Sequence, residues 1–255
     1  MAPVYADHPF KLIPDPRPEG EKTVNDMFDD VATEMACVHN CLIRGINAIY
    51  LQAPHIKPAD QKPFLNFASL WGKMINMHHK EEEVVFFPNI EKLAGEPGIM
   101  EDNVEQHHLF HEGLERYIAY VQACLEGKEA YDGKTLVGFI DSFGAILTQH
   151  LTDEISTLMG LRKYGTEQFK EYPALASKLG EAALANAGST TGIIFVMTCL
   201  DVNFENGRWT DFPPIPWIIN MMFRYIHFWV HSDWWKFAPC DRLGSMRPLH
   251  AVPEE

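Results

Sequence analysis

The sequence is short of positive charge, of sustained apolar runs, of paired cysteines and of alternating patterns. Each shortage removes a class of protein. Lys plus Arg number 21 against 35 Asp plus Glu, a formal charge of −14. Such a field repels phosphate backbones, so nucleic acid is not expected as a partner. The longest apolar run, Ile215 to Val230, is interrupted by Pro216, Asn220, Arg224 and His227. It falls short of the roughly 20 residues that a membrane-spanning helix needs, so no transmembrane segment is expected; it reads as a buried helix, with an interfacial helix the lesser reading because no Lys-rich face accompanies it. The cysteines are Cys37, Cys41, Cys124, Cys199 and Cys240. Their number is odd and no C-x-x-C pair occurs, so reduced thiols and a cytoplasmic location are expected. Residues up to Gly20 carry Pro3, Pro9, Pro14, Pro16 and Pro18 but no apolar stretch of the secretory kind. Residues 1–22 therefore read as an extended arm lying on the surface.

Apolar residues make up 46% of the chain and charged residues 22%, an ordinary globular balance. Long helical periodicities fill residues 23–165. The first spans about Thr23 to Gln52, with Thr23, Asn25 and Asp26 as capping candidates and Pro54 beyond its end. Val31, Met35, Val38, Leu42, Ile46 and Ile49 mark its apolar stripe. The second covers about Asp60 to Leu93 and stops at Gly95-Glu96-Pro97-Gly98. The third covers about Met100 to Leu125, and the fourth about Lys134 to Leu161. Short connections make neighbours antiparallel, so the fold expected is all-α, an up-down-up-down four-helix bundle. Residues 166–255 differ. Helices are expected near Ala174–Ala187 and Thr191–Leu200. An aromatic cluster follows, with Trp217, Phe223, Tyr225, Phe228, Trp229, Trp234, Trp235 and Phe237. This helical, aromatic-rich extension is expected to pack on the bundle; the sharper reading makes it a lid over a pocket.

The chemistry lies in the histidines. His39 sits on the first helix, His78 and Glu82 on the second, His107 and His111 on the third, His150 and Glu154 on the fourth. Residues four apart share a helix face. At about 1.5 Å rise per residue, antiparallel packing brings all seven to one level within about one and a half turns. Imidazoles and carboxylates facing a bundle interior are costly unless paired or metal-bound. The bland reading is a metal-free His–Glu network. The sharper one is a metal centre, and seven ligands exceed what one tetrahedral zinc takes. Two bridging carboxylates among five imidazoles suit two iron ions; manganese, a mixed pair and a single zinc are the alternatives. There is no H-E-x-x-H, so a zinc protease is not indicated. Only Glu105–His108 matches the Glu-x-x-His spacing of ferritin-like diiron proteins. His79 with Glu83, and His108 with Glu112, repeat the four-residue spacing one position later. The preferred register leaves His79 and His108 as flanking residues.

A lone His39, then His78-x-x-x-Glu82, His107-x-x-x-His111 and a late His150, resembles the hemerythrin family. The run from His78 to Phe87-Pro88 is similar to that family's second-helix signature, and the resemblance covers about residues 24–160. It implies that His107, His111 and His150 bind one iron, that His39 and His78 bind the other, and that Glu82 and Glu154 bridge them. Oxygen-carrying members place an Asp five residues after the fourth-helix His. Here that position is Ile155, with Glu154 one residue earlier. This departs from simple oxygen carriage and resembles the broader hemerythrin-like group.

The expected function is that of a non-haem diiron protein that binds and activates dioxygen and oxidises a small organic molecule beneath the C-terminal region. The alternatives are a non-catalytic sensor of iron, oxygen or nitric oxide, and an iron store. No catalytic residue beyond the ligands is assigned. His227, His231 and Asp233 are candidates for the walls of a substrate pocket.

Overall fold

A computed structural model describes residues 3–17, 26–207, 209–210 and 212–253. Among these, four helical segments form the bundle. Helix α1 is Met27–Gln52, capped by Asp26, whose carboxylate accepts from the Phe28 and Asp29 N–H groups at 3.0 Å each. The other capping candidates, Thr23 and Asn25, lie outside the described residues. The second segment comprises α2 (Gln61–Glu81), a π-helical turn (Glu82–Phe86) and α3 (Phe87–Ala94), closed by Gly95 at φ 69°. Helix α4 is Glu101–Leu125 and α5 is Gly133–Gly160, with the Asp132 carboxylate accepting from the Thr135 N–H. Gly133 is required where α5 begins, since a Cβ there would sit 2.0 Å from the Ala53 carbonyl oxygen.

Cross-bundle contacts fix the directions. The Tyr131 hydroxyl donates to Ala53 O at one end of the α1/α5 pair, and Arg162 binds Asp29 at the other. Tyr117 on α4 donates to Ala68 O on α2, while His107 meets Glu83. Each neighbouring pair is antiparallel. Helices α1 and α4 each pack on both α2 and α5, which closes the square. One turn or more below the histidine layer, Trp71 lies edge-on to Tyr117 (5.3 Å) and stacks on Phe143 (6.1 Å). Its indole N–H donates to Leu42 O. This aromatic layer ties all four helices together beneath the site.

The second helix is expected to be continuous but is interrupted. Pro88 has no N–H to give the Val84 carbonyl, and the Phe87 N–H instead reaches back to Glu82 O. The extra residue in this turn buries both Phe86 and Phe87 while Val84 and Val85 face outward.

Residues 3–17 lie along α1. Asn47 Nδ2 donates to Ala6 O and Phe10 O, and its Oδ1 accepts from the Phe10 N–H. One heptad earlier, Asn40 exchanges two hydrogen bonds with Ile13. Beyond the bundle come α6 (Tyr172–Ala187), a π-helical turn (Gly188–Gly192), α7 (Ile193–Cys199), α8 (Trp217–Tyr225) and α9 (Ser232–Trp235). The stretch Tyr172–Cys199 is long and apolar enough, by length and composition, to cross a membrane. Its α7 half is buried against α1, where Phe195 packs on Gly45. The tail is stapled to the bundle by Gln52, which donates to Phe237 O and accepts from the His250 and Ala251 N–H groups.

The aromatic cluster divides. Trp235 and Phe237 are fully buried, and Phe223 and Phe228 nearly so, whereas Trp217, Tyr225 and Trp229 are exposed. The expectation of a buried helix over residues 215–230 therefore fails. Phe223 and Phe228 are buried and Ile215 and Met222 pack partly buried against the core, while the rest stays outside, because α8 is followed by a 3₁₀ turn (His227–His231) that lays the segment on the surface.

Candidate metal centre

Midway along the bundle, α1, α2 with its π turn, α4 and α5 direct His39, His78, His79, Glu82, His107, His150 and Glu154 into one layer. Two donor groups form. His39, His78, Glu82 and Glu154 offer ligand atoms all within 4.8 Å of one another, and so do His79, Glu82, His107 and His150. Glu82 belongs to both. Its Oε1 is 2.9 Å from His78 Nε2, and its Oε2 is 3.6 Å from His107 Nε2. Glu154 spans them likewise, with Oε2 at 3.5 Å from His39 Nε2 and 3.9 Å from His150 Nε2.

His111 does not join them. It is an expected ligand that the structure places on the exposed face of α4. The buried positions of α4 are Asn103, His107, Phe110, Leu114, Tyr117, Tyr120 and Val121, spaced by fours and threes up to Tyr120 with Val121 beside it. Phe110 and Leu114 set the inward face, and His111 falls beside it. His79, expected as a flanking residue, is buried in its place. It packs on the rings of His107 (4.3 Å) and Phe110 (5.0 Å). The missed signal is the three-residue spacing of His79 and Glu82, which shares a helix face as well as a spacing of four does.

The outer ring nitrogens decide the tautomers. His39 Nδ1 lies 2.7 Å from Leu151 O, which can only accept, so this nitrogen carries the proton. His107 Nδ1 donates to Glu83 Oε1 at 2.6 Å. Gln106 donates through Nε2 to Asp153, which leaves its Oε1 to accept from His150 Nδ1 at 3.0 Å. In neutral rings the inward Nε2 atoms then carry lone pairs, and those of His107 and His150 face each other at 2.9 Å. Lone pairs at that separation repel unless a cation lies between them. Burial points the same way. The four buried oxygens of Glu82 and Glu154 meet the Nε2 atoms of the layer's own histidines and each other, and His79 Nε2 is buried without a hydrogen-bond partner. The residues present therefore fit bound cations, with outer hydrogen bonds of the kind that orient metal ligands.

The electrostatics agree. Burial, and then the neighbouring imidazoles, lower the pKa of His39 and His79 well below the usual value. Burial and the nearby His107 push His150 down to about 2. Burial lowers His78 and His107 as well, the latter opposed by Glu83. Burial raises the pKa of Glu82 and Glu154 well above the carboxylate range; Glu83 adds to the first and Glu82 to the second. Without a cation the layer holds neutral imidazoles and protonated acids.

Two recesses lie against the bundle, and the second reaches the layer. One, of about 190 Å³, lies between α2 and the C-terminal region and is lined by Leu70, Lys73, Met74, Met77, Asn186 and Trp234, among others. The other, of about 290 Å³, is an open groove between α4 and α5 where Gln106, Leu109 and Ile146 adjoin His150. The remaining pocket candidates stand apart from the ligands. His227 Nδ1 meets Ser189 O, His231 stacks on Trp234 at 4.0 Å, and Asp233 is exposed.

Comparison with known proteins bears on the family. The "Dimeric xanthone biosynthesis cluster protein R11" of Cryptosporiopsis sp. (strain 8999) is 34% identical over 250 residues, covering 97% of this chain and 92% of that protein. No solved structure matches. The model of the hemerythrin HHE cation binding domain matches residues 32–161, which include every residue of the buried His–Glu layer, and the chain belongs to the hemerythrin family.

Proposed function

We propose that the buried layer holds two iron ions and that the protein uses them to bind and activate dioxygen for the oxidation of a small organic molecule. The observation that carries this reading is the pair of donor groups spanned by two carboxylates whose oxygens have no other partner. Iron bound there would supply one-electron redox chemistry and affinity for dioxygen, and an imidazole-rich ligand set suits it. The protein's own part is orientation and exclusion of water. Leu151 O, Glu83 and Gln106 aim three rings inward, and Phe110, Phe87 and Leu147 keep the layer dry. The groove lined by His150, Gln106, Leu109 and Ile146 reaches one of the donors and offers mixed apolar and polar walls for an organic substrate, while the recess beside Met77 and Trp234 is lined by none of the seven. The relative's place in a biosynthetic cluster supports an enzymatic role in making a small molecule.

The test is metal analysis followed by anaerobic reconstitution with ferrous iron and mixing with oxygen. Two irons per chain, oxygen uptake and a new visible absorption band are expected. A protein that takes up no metal, or that binds iron and leaves oxygen untouched, would overturn the proposal. A sensor is the second reading, supported by one contact: Asn186, on the C-terminal region, donates to Glu81 beside the ligand Glu82. Under that reading iron would change the protease sensitivity of residues 166–255, and no substrate would be consumed.

A further inference from the structure

Residues 215–231 present an apolar face that the rest of the described chain leaves uncovered. Trp217 is 74% exposed, Ile226 64%, Trp229 60% and Val230 57%; Ile218 and Met221 are exposed beside them. Single exposed apolar residues are common, but a group of this size on one segment marks a contact surface. The backbone that carries it is anchored. Phe223 and Phe228 are buried, Arg224 donates to the Arg242 carbonyl at 2.8 Å, and His227 meets Ser189 O. The exposed side chains are thus held outward by fixed neighbours.

The charge around this face identifies what covers it. The chain carries 35 acidic residues in 255, yet none falls between Phe212 and Ser232. Cations border the face. Arg224 lies on α8, and the Arg242 guanidinium sits 4.2 Å above the Tyr225 ring. A two-fold contact with a second copy would bring these cations towards their own images, and at physiological salt the charges that act across a contact are those within about 8 Å rather than the net −14 of the chain. An anionic lipid surface instead offers headgroups to the cations and an apolar layer to Trp217, Ile226 and Trp229. Trp and Tyr favour that boundary because one end of the ring system is apolar and the other polar. Helix α8 has nine residues, too few to span a bilayer, so it lies in the interface. We propose that this face docks the protein reversibly on an anionic phospholipid membrane. The inference stands apart from the metal centre, whose ligands lie on other elements.

Flotation of the full-length protein with vesicles tests it. Vesicles of phosphatidylcholine with about one-third phosphatidylserine are compared with phosphatidylcholine alone, at low and high salt. The wild type should float with the anionic vesicles, less so at high salt, and its Trp emission should shift to the blue. Ile226→Glu combined with Trp229→Glu should weaken binding by about tenfold or more. Trp217→Glu, at the far end of α8, should weaken it independently, which covers the case of a misfolded double variant. Helicity and metal content should be unchanged in a usable variant. Absence of flotation, equal flotation of wild type and variants, or equal binding to neutral vesicles would overturn the proposal. So would a wild-type dimer in light scattering that the double variant dissolves, since a second copy would then cover the face.

Discussion

His79→Ala and His111→Ala, made side by side, separate the donor set that the structure gathers from the one that sequence spacing favours. His79 Nε2 is one of four donors in the group with Glu82, His107 and His150, and it has no other partner. Losing even an outer hydrogen-bond partner of a metal ligand costs about 10–100-fold in affinity, so losing the donor itself should cost at least that. This corresponds to about 1.4–2.7 kcal/mol at one metal position. The other group, His39, His78, Glu82 and Glu154, keeps its donors, so one ion of two should weaken while the other stays. In the metal-free protein the change should be smaller. Removing a ring packed on Phe110 and His107 costs packing, but it also removes a buried nitrogen without a partner. His111→Ala touches an exposed side chain and should alter stability by no more than about 0.5 kcal/mol, with both ions retained. Competition against a graded chelator, read by metal content per chain and by melting temperature, measures each quantity. Full metal content in His79→Ala, or loss of an ion in His111→Ala, would refute the ligand assignment and the face argument behind it.

Other outcomes follow from the same contacts. Gln106→Ala removes the acceptor of the His150 Nδ1 proton and should lower metal affinity by about 10–100-fold while helicity is unchanged; chelator competition checks this. Without metal, His150 titrates near 2 in the folded chain but near its ordinary value when unfolded. The unfolded chain therefore binds more protons below about pH 6.5, and stability should fall as the pH drops through that range. Glu82 and Glu154 have the opposite effect. The fold keeps them protonated above about pH 4.5, where the unfolded chain has lost those protons, so stability also falls as the pH rises, by about 1.4 kcal/mol per pH unit for each proton of difference. His39, His78, His79 and His107 are lowered like His150, and five such imidazoles against two carboxyls place the peak in metal-free melting temperature near neutrality. The metal-loaded protein should keep its stability into the alkaline range, because the ions hold the carboxylates ionised. Gly45→Ala should destabilise by about 1–3 kcal/mol in chemical denaturation despite the better helix propensity of alanine, since the new Cβ would lie 2.7 Å from Phe195 and 2.9 Å from Trp71.

The helical bundle was legible because its signal is periodic and local. Val31 to Ile49, and the caps and glycines around each segment, state helix length and direction without reference to any partner. The levels of His39, His78, Glu82, His107, His150 and Glu154 were legible for the same reason, since rise per residue and short connections convert sequence distance into height. Facing was harder to read. A spacing of four places His111 within about 40° of His107, close enough to pass a pattern test but outside the seam that Phe110 and Leu114 define. The π turn was likewise invisible as periodicity, although Pro88 is its cause. The run of residues 215–230 misled because apolar composition says how much surface could be buried, not whether another element arrives to bury it.

Sequence alone determined that four helices would run antiparallel and that imidazoles and carboxylates would meet at one height, because both follow from bond geometry repeated along a chain. Only the tertiary structure decided that His79 lies within the buried layer and His111 outside it, and that Trp229 remains exposed. Those outcomes depend on the rotation of each helix about its axis, which is set by packing against side chains far away in the sequence.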